Sequence, residues 1–266
     1  MPTLRGPRIR TGWRAGRVPR VAFVSVAAIV VAAIAGLATL SAKDWPQWRG
    51  TERLGLWTET GILDEFPDEG LTVKWRVPVH AGYSGPAVAD GRVFVLDYME
   101  TEARVMNGTE RLLALSEETG EVLWSHEWAT TYRMLMFTYA TGPRATPTVD
   151  GDRVYVTGST GRIFCLNAET GAVIWDKDTV EEYDTNIPVW GTSSAPLVDG
   201  DRVIFLVGGE PDALVMAFDK HTGTEVWRAL ESSTEMGYNQ PLIIEEGGAR
   251  QLIVWQPRGL SSLNPE

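Results

Sequence analysis

Three stretches decide the fold: A-L-S-E-E-T-G-E-V-L-W at residues 114–124, C-L-N-A-E-T-G-A-V-I-W at 165–175, and A-F-D-K-H-T-G-T-E-V-W at 217–227. Their tryptophans recur at spacings of 51 and 52 residues, and self-similarity at such a period is the mark of a repeat architecture. Upstream of each lies a second shared block: G-P-A-V-A-D-G-R-V-F-V from Gly85, T-P-T-V-D-G-D-R-V-Y-V from Thr146, and A-P-L-V-D-G-D-R-V-I-F from Ala195. A fourth copy opens at Gln240-Pro241-Leu242-Ile243-Ile244 and runs to Ser262-Leu263-Asn264-Pro265-Glu266, where the next Thr-Gly is due. Each copy reads as four short strands, because β-branched and aromatic runs alternate with Asp-Gly or Thr-Gly punctuation. In the second copy the expected strands are 148–149, 153–157, 163–167 and 172–176. Four antiparallel strands per period, with no helix-period segment between them, predict an all-β protein of four-stranded β-propeller blades.

The tryptophan falls four residues after the glycine, on the last strand of each copy. A buried indole removes about 150–250 Å² from water, worth several kcal/mol at about 25 cal/mol per Å². A single blade cannot bury both faces, so Trp75, Trp124, Trp175 and Trp227 are expected to wedge one blade against the next, with Gly120, Gly171 and Gly223 as the turn positions of the same motif.

The pattern A-x-D-x-x-T-G-x-x-x-W resembles the repeat of pyrroloquinoline quinone (PQQ)-type propellers. That group includes quinoprotein alcohol dehydrogenases and the propeller lipoprotein of the outer-membrane assembly machine. The segment D-W-P-Q-W-R-G, Asp44 to Gly50, followed by E-T-G-I-L-D-E-F-P from Glu59, resembles the start of secreted PQQ-like propeller proteins of environmental bacteria. The resemblance covers residues 44–266 and implies a ring of seven or eight blades, about 350–420 residues at this period. Residues 71–78, L-T-V-K-W-R-V-P, read as a tryptophan strand without strands of its own blade before it. One reading makes the chain an incomplete, N-terminal part of a larger ring. The other makes it a four-bladed ring in which residues 71–78 close the blade begun at Pro241, since propellers of 4 to 8 blades exist.

Ahead of the repeats, Val21 to Leu40 gives 20 residues without a charge, about 30 Å as a helix and enough to span a bilayer. Arg5, Arg8, Arg10, Arg14, Arg17 and Arg20 precede it, which predicts a cytoplasmic N-terminus and an extracytoplasmic, periplasmic remainder. The expected organisation is a basic segment at 1–20, a transmembrane anchor or signal peptide at 21–42, a lead-in segment at 43–70 and propeller repeats at 71–266. Against cleavage stands Leu40-Ser41-Ala42, a poor match to a small-residue site. A lipoprotein cysteine and a twin-arginine pair are both absent. The expected partners are therefore the inner membrane, through residues 21–40, and a protein, peptide or glycan ligand.

Charge and composition narrow the chemistry. Of 24 Lys and Arg, seven precede the first acid, Asp44, so the rest of the chain sets 17 bases against 35 acids. Such a body repels polyphosphates and argues against a nucleic-acid partner. A single cysteine, Cys165, makes neither a disulfide nor a redox pair, and reads as a core thiol. His80, His126 and His221 are scattered and form no zinc-ligand spacing. Asp150-Gly151-Asp152 and Asp199-Gly200-Asp201 superficially resemble calcium loops but lack the further spaced oxygens; they read as hairpin turns, as does Asn107-Gly108-Thr109. Glu117-Glu118 and Glu245-Glu246 read as solvated turn charges.

Connection length singles out a candidate binding face. The tryptophan-to-proline distances are 11 residues (Trp75 to Pro86), 23 (Trp124 to Pro147), 21 (Trp175 to Pro196) and 14 (Trp227 to Pro241). Two adjacent connections exceed what crossing a blade requires. One carries Trp128, Tyr132, Arg133, Met134, Met136, Phe137, Tyr139 and Arg144, the other Glu181, Glu182, Tyr183, Asp184 and Trp190. Aromatic and arginine-rich loops on a rigid scaffold are where binding resides; alternatively these loops pack on each other. From them Tyr132, Arg133, Tyr139, Arg144, Tyr183 and Trp190 are taken as candidate ligand contacts.

Two functions follow. The first is a non-catalytic, membrane-tethered binding or scaffold propeller, since no nucleophile, base and orienter set, G-x-S-x-G, P-loop or dinucleotide fingerprint occurs. The second, implied by the resemblance, is a PQQ- and calcium-dependent alcohol dehydrogenase. The adjacent Cys-Cys pair that many of those enzymes place beside the cofactor is absent, and no residue can be assigned as the base.

Overall fold

The computed structural model describes residues 42–101, 106–136, 141–231 and 235–266. The expected anchor therefore lies outside the described residues. Lys43–Glu266 forms one compact unit.

Alternating β-branched runs make successive antiparallel meanders. The first blade is β1 (Ala87–Ala89), β2 (Arg92–Glu100), β3 (Asn107–Ser116) and β4 (Val122–Thr131). The second is β5 (Thr148–Asp150), β6 (Arg153–Thr157), β7 (Arg162–Asn167) and β8 (Val173–Asp178), followed by a short helix α1 (Thr179–Tyr183). The third is β9 (Leu197–Asp199), β10 (Arg202–Gly209), β11 (Ala213–Asp219) and β12 (Glu225–Ala229). The last sheet has three strands, β13 (Leu242–Glu246), β14 (Ala249–Gln256) and β15 (Gly259–Leu263). These are the β-propeller blades expected from the period. The first hairpin of each is tight: Asp90-Gly91, Gly151-Asp152 and Gly200-Asp201 form the two-residue loops, and Asp90 and Gly91 take φ of 50° and 73° as a type I′ turn requires.

The core lies between blades. Phe94, Leu96, Leu112 and Ala114 of the first meet Val154 and Val156 of the second. Tyr155, Ile163 and Cys165 meet Val203 and Phe205, and Ile204, Leu206 and Val215 meet Leu252 and Val254. Alternation along each strand feeds two neighbouring junctions at once.

The repeat motif has a physical reading at its turn. The Asn167 carboxamide accepts from the amides of Glu169 (3.1 Å) and Thr170 (2.8 Å) and from the Thr170 hydroxyl (2.9 Å). Asp219 does the same for His221 (3.0 Å), Thr222 (2.8 Å) and the Thr222 hydroxyl (3.0 Å). This folds the turn so that the glycine reaches positive φ, 73° at Gly171 and 70° at Gly223, and offers a face without Cβ. The tryptophan of the preceding blade covers that face. A Cβ on Gly120 would stand 2.8 Å from the Trp75 ring, on Gly171 2.6 Å from Trp124, and on Gly223 2.7 Å from Trp175. Each indole also donates to the carbonyl three residues before the glycine: Trp75 to Glu117 (2.8 Å), Trp124 to Ala168 (3.2 Å), Trp175 to Lys220 (3.2 Å). Trp227 makes the matching bond to Pro265 (3.3 Å).

Three expectations need correction. Asn107-Gly108-Thr109 is no turn: it opens β3, with Gly108 paired to Glu100 and Thr130. Its glycine serves close packing, because a Cβ there would collide with the Met99 carbonyl and the Tyr98 ring. Residues 71–78 adopt no strand, since no ladder partner runs beside them among the described residues, yet Trp75 is docked as the other tryptophans are. The four-bladed closure also fails, because β15 pairs with β14 and not with residues 71–78.

Candidate functional site

The loops leading into the blades share one face and pack side by side. Tyr83 and Ser84 donate their amides to Pro143 O at 2.7 and 3.0 Å. Met136 N donates to Val189 O (2.7 Å), and Trp190 N and Val189 N reach Tyr238 Oη (3.4 Å) and Glu235 Oε1 (3.3 Å). Arg144 binds these loops together: its Nε donates to Trp190 O at 2.5 Å, and its guanidinium lies 5.4 Å from the Tyr83 ring and 5.9 Å from the Trp190 ring. Arg144 and Trp190 are thus brought together, and Arg133 and Met134 are exposed. Tyr139 and Phe137 lie outside the described residues. Tyr183 sits instead at the end of α1, beside Phe218 (6.2 Å) and under Arg228 (5.5 Å), at a blade junction.

Tyr132 is buried rather than presented. Its hydroxyl donates to Glu110 Oε1 at 2.5 Å, and Trp128, which belongs to β4 and not to the loop, donates to Glu110 Oε2 at 3.0 Å. The Ser159 amide of the next blade donates to both oxygens, at 3.1 and 3.2 Å. Glu110 is fully buried, and desolvation pushes its carboxyl above the usual carboxylate range against the pull of these donors. Burial and the neighbouring Glu110 raise the Tyr132 phenol well above its ordinary value. Sequence reading missed Glu110. Its signal was strand parity, because 110, 112 and 114 share the face that carries Leu112 and Ala114 into the first junction.

The inner rim was also missed. Trp45 exchanges backbone hydrogen bonds with Val88 of innermost strand β1, both at 2.9 Å, and Pro46 O accepts from Val149 N of β5 at 2.8 Å. Further along, Arg53 is 2% exposed, and its guanidinium donates to Pro241 O (3.1 Å), Ala195 O (3.3 Å) and Pro196 O, the lead-ins of the third and fourth blades. Burial pushes this guanidinium down to about 9. Residues 45–53 therefore run as a strap from the inner strands of the first two blades to the lead-ins of the third and fourth. Trp48 and Arg49 in the W-R-G motif flag the segment but not its buried arginine.

The other candidates are structural. Asp150 receives Lys220 Nζ at 2.8 Å, Asp199 pairs with Arg250 and Asp152 with Arg153, as turn acids. Cys165 is buried, its thiol pushed up to about 12 by desolvation.

The sequence profile of the family described as outer membrane protein assembly factor BamB matches residues 69–138 and 108–259. The chain belongs to this family. Its members carry the PQQ-like repeat, and curated proteins align to parts of the chain. A quinoprotein ethanol dehydrogenase of Pseudomonas aeruginosa is 30% identical over 104 residues, 38% of this chain and 16% of that protein. An uncharacterized protein of Rickettsia prowazekii is 28% identical over 168 residues, 59% of this chain and 35% of that protein. Among solved structures, BamB from Moraxella catarrhalis overlays with a TM-score of 0.41 at 21% identity, covering 69% of this chain and 45% of its own. The chain thus spans about a third or less of the curated PQQ-like relatives it matches.

PQQ with calcium is the cofactor pair that this kinship raises. Among the described residues no three His, Cys, Asp or Glu side chains converge as a cation site. The inner-rim amides of Val88 and Val149 are taken by the strap, and Arg53, the one buried cation among the described residues, is occupied by main-chain carbonyls. These residues do not fit a quinone with its cation.

Proposed function

We propose that this PQQ-like chain is a non-catalytic binding or scaffold module, an arc of a seven- or eight-bladed ring, tethered to the inner membrane by residues 21–40 and facing the periplasm. Its partner is a protein segment held on the loop face. The observation that carries the reading is the division of labour between the two surfaces: the inner rim is bound along residues 45–53, while the loop face presents Arg144 between Tyr83 and Trp190, with Tyr83 60% and Met134 84% exposed. A cation held between two rings, with exposed aromatic and thioether groups beside it, suits a protein surface. The family's description as an assembly factor for outer membrane proteins supports a protein partner.

A photo-crosslinking residue at position 134 or 83, in intact cells, is expected to give one defined protein adduct that is lost on Arg144→Ala. The same residue at 173, on an outer strand, is expected to give none. Equal labelling from all three positions would remove the reading. The alternative is a PQQ- and calcium-dependent dehydrogenase, favoured by the 30% identity to the ethanol dehydrogenase. Sub-micromolar PQQ binding with calcium, together with dye-linked alcohol oxidation, would install it instead. Protease protection in intact cells, lost in spheroplasts, is the expected sign of the periplasmic placement.

A further inference from the structure

Each junction between blades has a second seat beside the indole, at the end of the inner strands away from the loop face. One wall is the last residue of the inner strand: Ala89 pairs with Arg92 as Asp150 does with Arg153 and Asp199 with Arg202. The other wall is the residue whose carbonyl takes the indole of the preceding blade, Ala168 for Trp124 and Lys220 for Trp175. The amides of these two are equivalent as well, donating to Asp152 O and Asp201 O, both at 2.9 Å. Between the second and third blades the seat is filled, since Lys220 Nζ meets Asp150 Oδ2 at 2.8 Å. Between the third and fourth, Asp199 pairs with Arg250.

Between the first and second blades both positions are alanine, and a cavity of about 330 Å³ opens there. Its floor is apolar, formed by the buried Ala89, Phe94 and Ala168, and its mouth carries Arg92 and the exposed Asp90 and Glu169. Both walls are complete four-stranded sheets, so the cavity belongs to the interior of the arc.

The charges at the mouth are unmatched. Arg153 of the second blade meets Asp152, but the first blade has Gly91 where the second has Asp152. Arg92 donates Nη1 to Asp90 O at 3.1 Å, and its Nε is buried without a hydrogen-bond partner. Among the described residues neither Arg92 nor the Glu169 carboxylate forms an ion pair. A buried donor left unpaired costs free energy that a bound acceptor recovers, and a guanidinium fork suits a carboxylate.

We propose that this junction binds a small zwitterionic amino acid, which takes the place of the Lys220 and Asp150 side chains of the next junction. Its carboxylate lies over Ala89, the cross-strand neighbour of Arg92, and its ammonium over Ala168, beside Glu169. The atoms that a lysine and an aspartate carry beyond Cβ amount to a molecule of that kind. Charge selects the zwitterion, because a plain carboxylate meets Asp90 and Glu169 while a plain amine meets Arg92.

Isothermal titration of the full chain would use glycine, β-alanine and γ-aminobutyrate, which differ in the span between their charges, with acetate and ethylamine as singly charged controls. At least one of the amino acids is expected to saturate one site per chain, and both controls to bind about tenfold more weakly or less. Ala89→Asp together with Ala168→Lys rebuilds the ion pair of the next junction and is expected to abolish binding without lowering the melting temperature. Arg92→Gln leaves the cavity open and is expected to weaken binding about tenfold or more with the circular dichroism spectrum unchanged. No binding by any of the amino acids, equal binding by a control, or full binding by either variant would each overturn the proposal.

Discussion

Trp175 is the joint whose removal can be worked out in most detail. Its indole is 8% exposed, lies over Gly223 and has Tyr155, Phe205 and Phe218 within 6.1, 6.4 and 6.3 Å. Removing about 200 Å² of buried aromatic surface at about 25 cal/mol per Å² costs about 5 kcal/mol, less a tenth to two-fifths because the unfolded chain is not fully extended. The lost hydrogen bond to Lys220 O adds about 1 kcal/mol. Rings on opposite sides of a gap hinder collapse, so Trp175→Ala is expected to cost about 4 kcal/mol. Gly223→Ala is expected to be harmful for two reasons: its φ of 70° costs an alanine about 1–2 kcal/mol, and the new methyl meets the indole. Only the first reason survives once Trp175 is gone. Equilibrium urea unfolding followed by circular dichroism should therefore show the double variant less destabilised than the two single losses combined, by more than about 1 kcal/mol. A Trp175→Ala loss below about 1 kcal/mol, or additivity within about 0.5 kcal/mol, would refute the wedge.

Two further outcomes follow from buried charges. Glu110 has a folded-state pKa raised by burial, so the folded state holds its proton over a range where the unfolded state has released it. Stability from this group is present below the ordinary glutamate value of 4.5 and is lost as pH rises from there through the raised value. The melting temperature of the native chain, relative to Glu110→Gln, should therefore fall as pH rises above 4.5; a rising or flat difference would contradict the assignment. Arg53→Met removes the guanidinium from the carbonyls of Ala195, Pro196 and Pro241, of which Pro196 O keeps the Thr148 hydroxyl, and should cost about 2 kcal/mol or more. Hydrogen exchange should then speed up at the Val88 and Val149 amides; unchanged protection there would show that Arg53 does not pin the strap.

The blades were legible because the motif is built from local rules. Asn167 and Asp219 fold their own turns, Gly171 and Gly223 supply the positive φ, and strand alternation is read directly from V-Y-V and V-I-F. The candidate site was legible only in outline. Loop length located the face, and Arg144 and Trp190 do meet there, but no local rule separates an aromatic presented to solvent from one drawn inward. Tyr132 was drawn inward by Glu110, a residue 22 positions earlier whose role depends on Ser159 of another blade. Arg53 acts on carbonyls more than 140 positions away, and no periodicity reports such a contact. Gly108 was misread for the complementary reason: Asn-Gly signals a turn locally, and only the Tyr98 ring across the ladder shows that the glycine makes room within a strand.

The joint between blades is a one-way coupling made from identical parts, an indole on one side and a bare glycine turn with its carbonyl on the other. The indole, the glycine turn and the accepting carbonyl are the same at the joints of Trp75, Trp124 and Trp175. An in-frame loss of residues 125–175 would leave Trp124 facing the turn at Gly223 across the same chain length that now separates Trp175 from it. Such a chain would be shorter by one unit and would keep an indole facing a glycine turn at the new joint, while Glu110 would lose Trp128, Tyr132 and Ser159. Ring size is therefore a heritable count rather than a property of any contact, and duplication or excision of whole periods is the change in length that this architecture most readily survives.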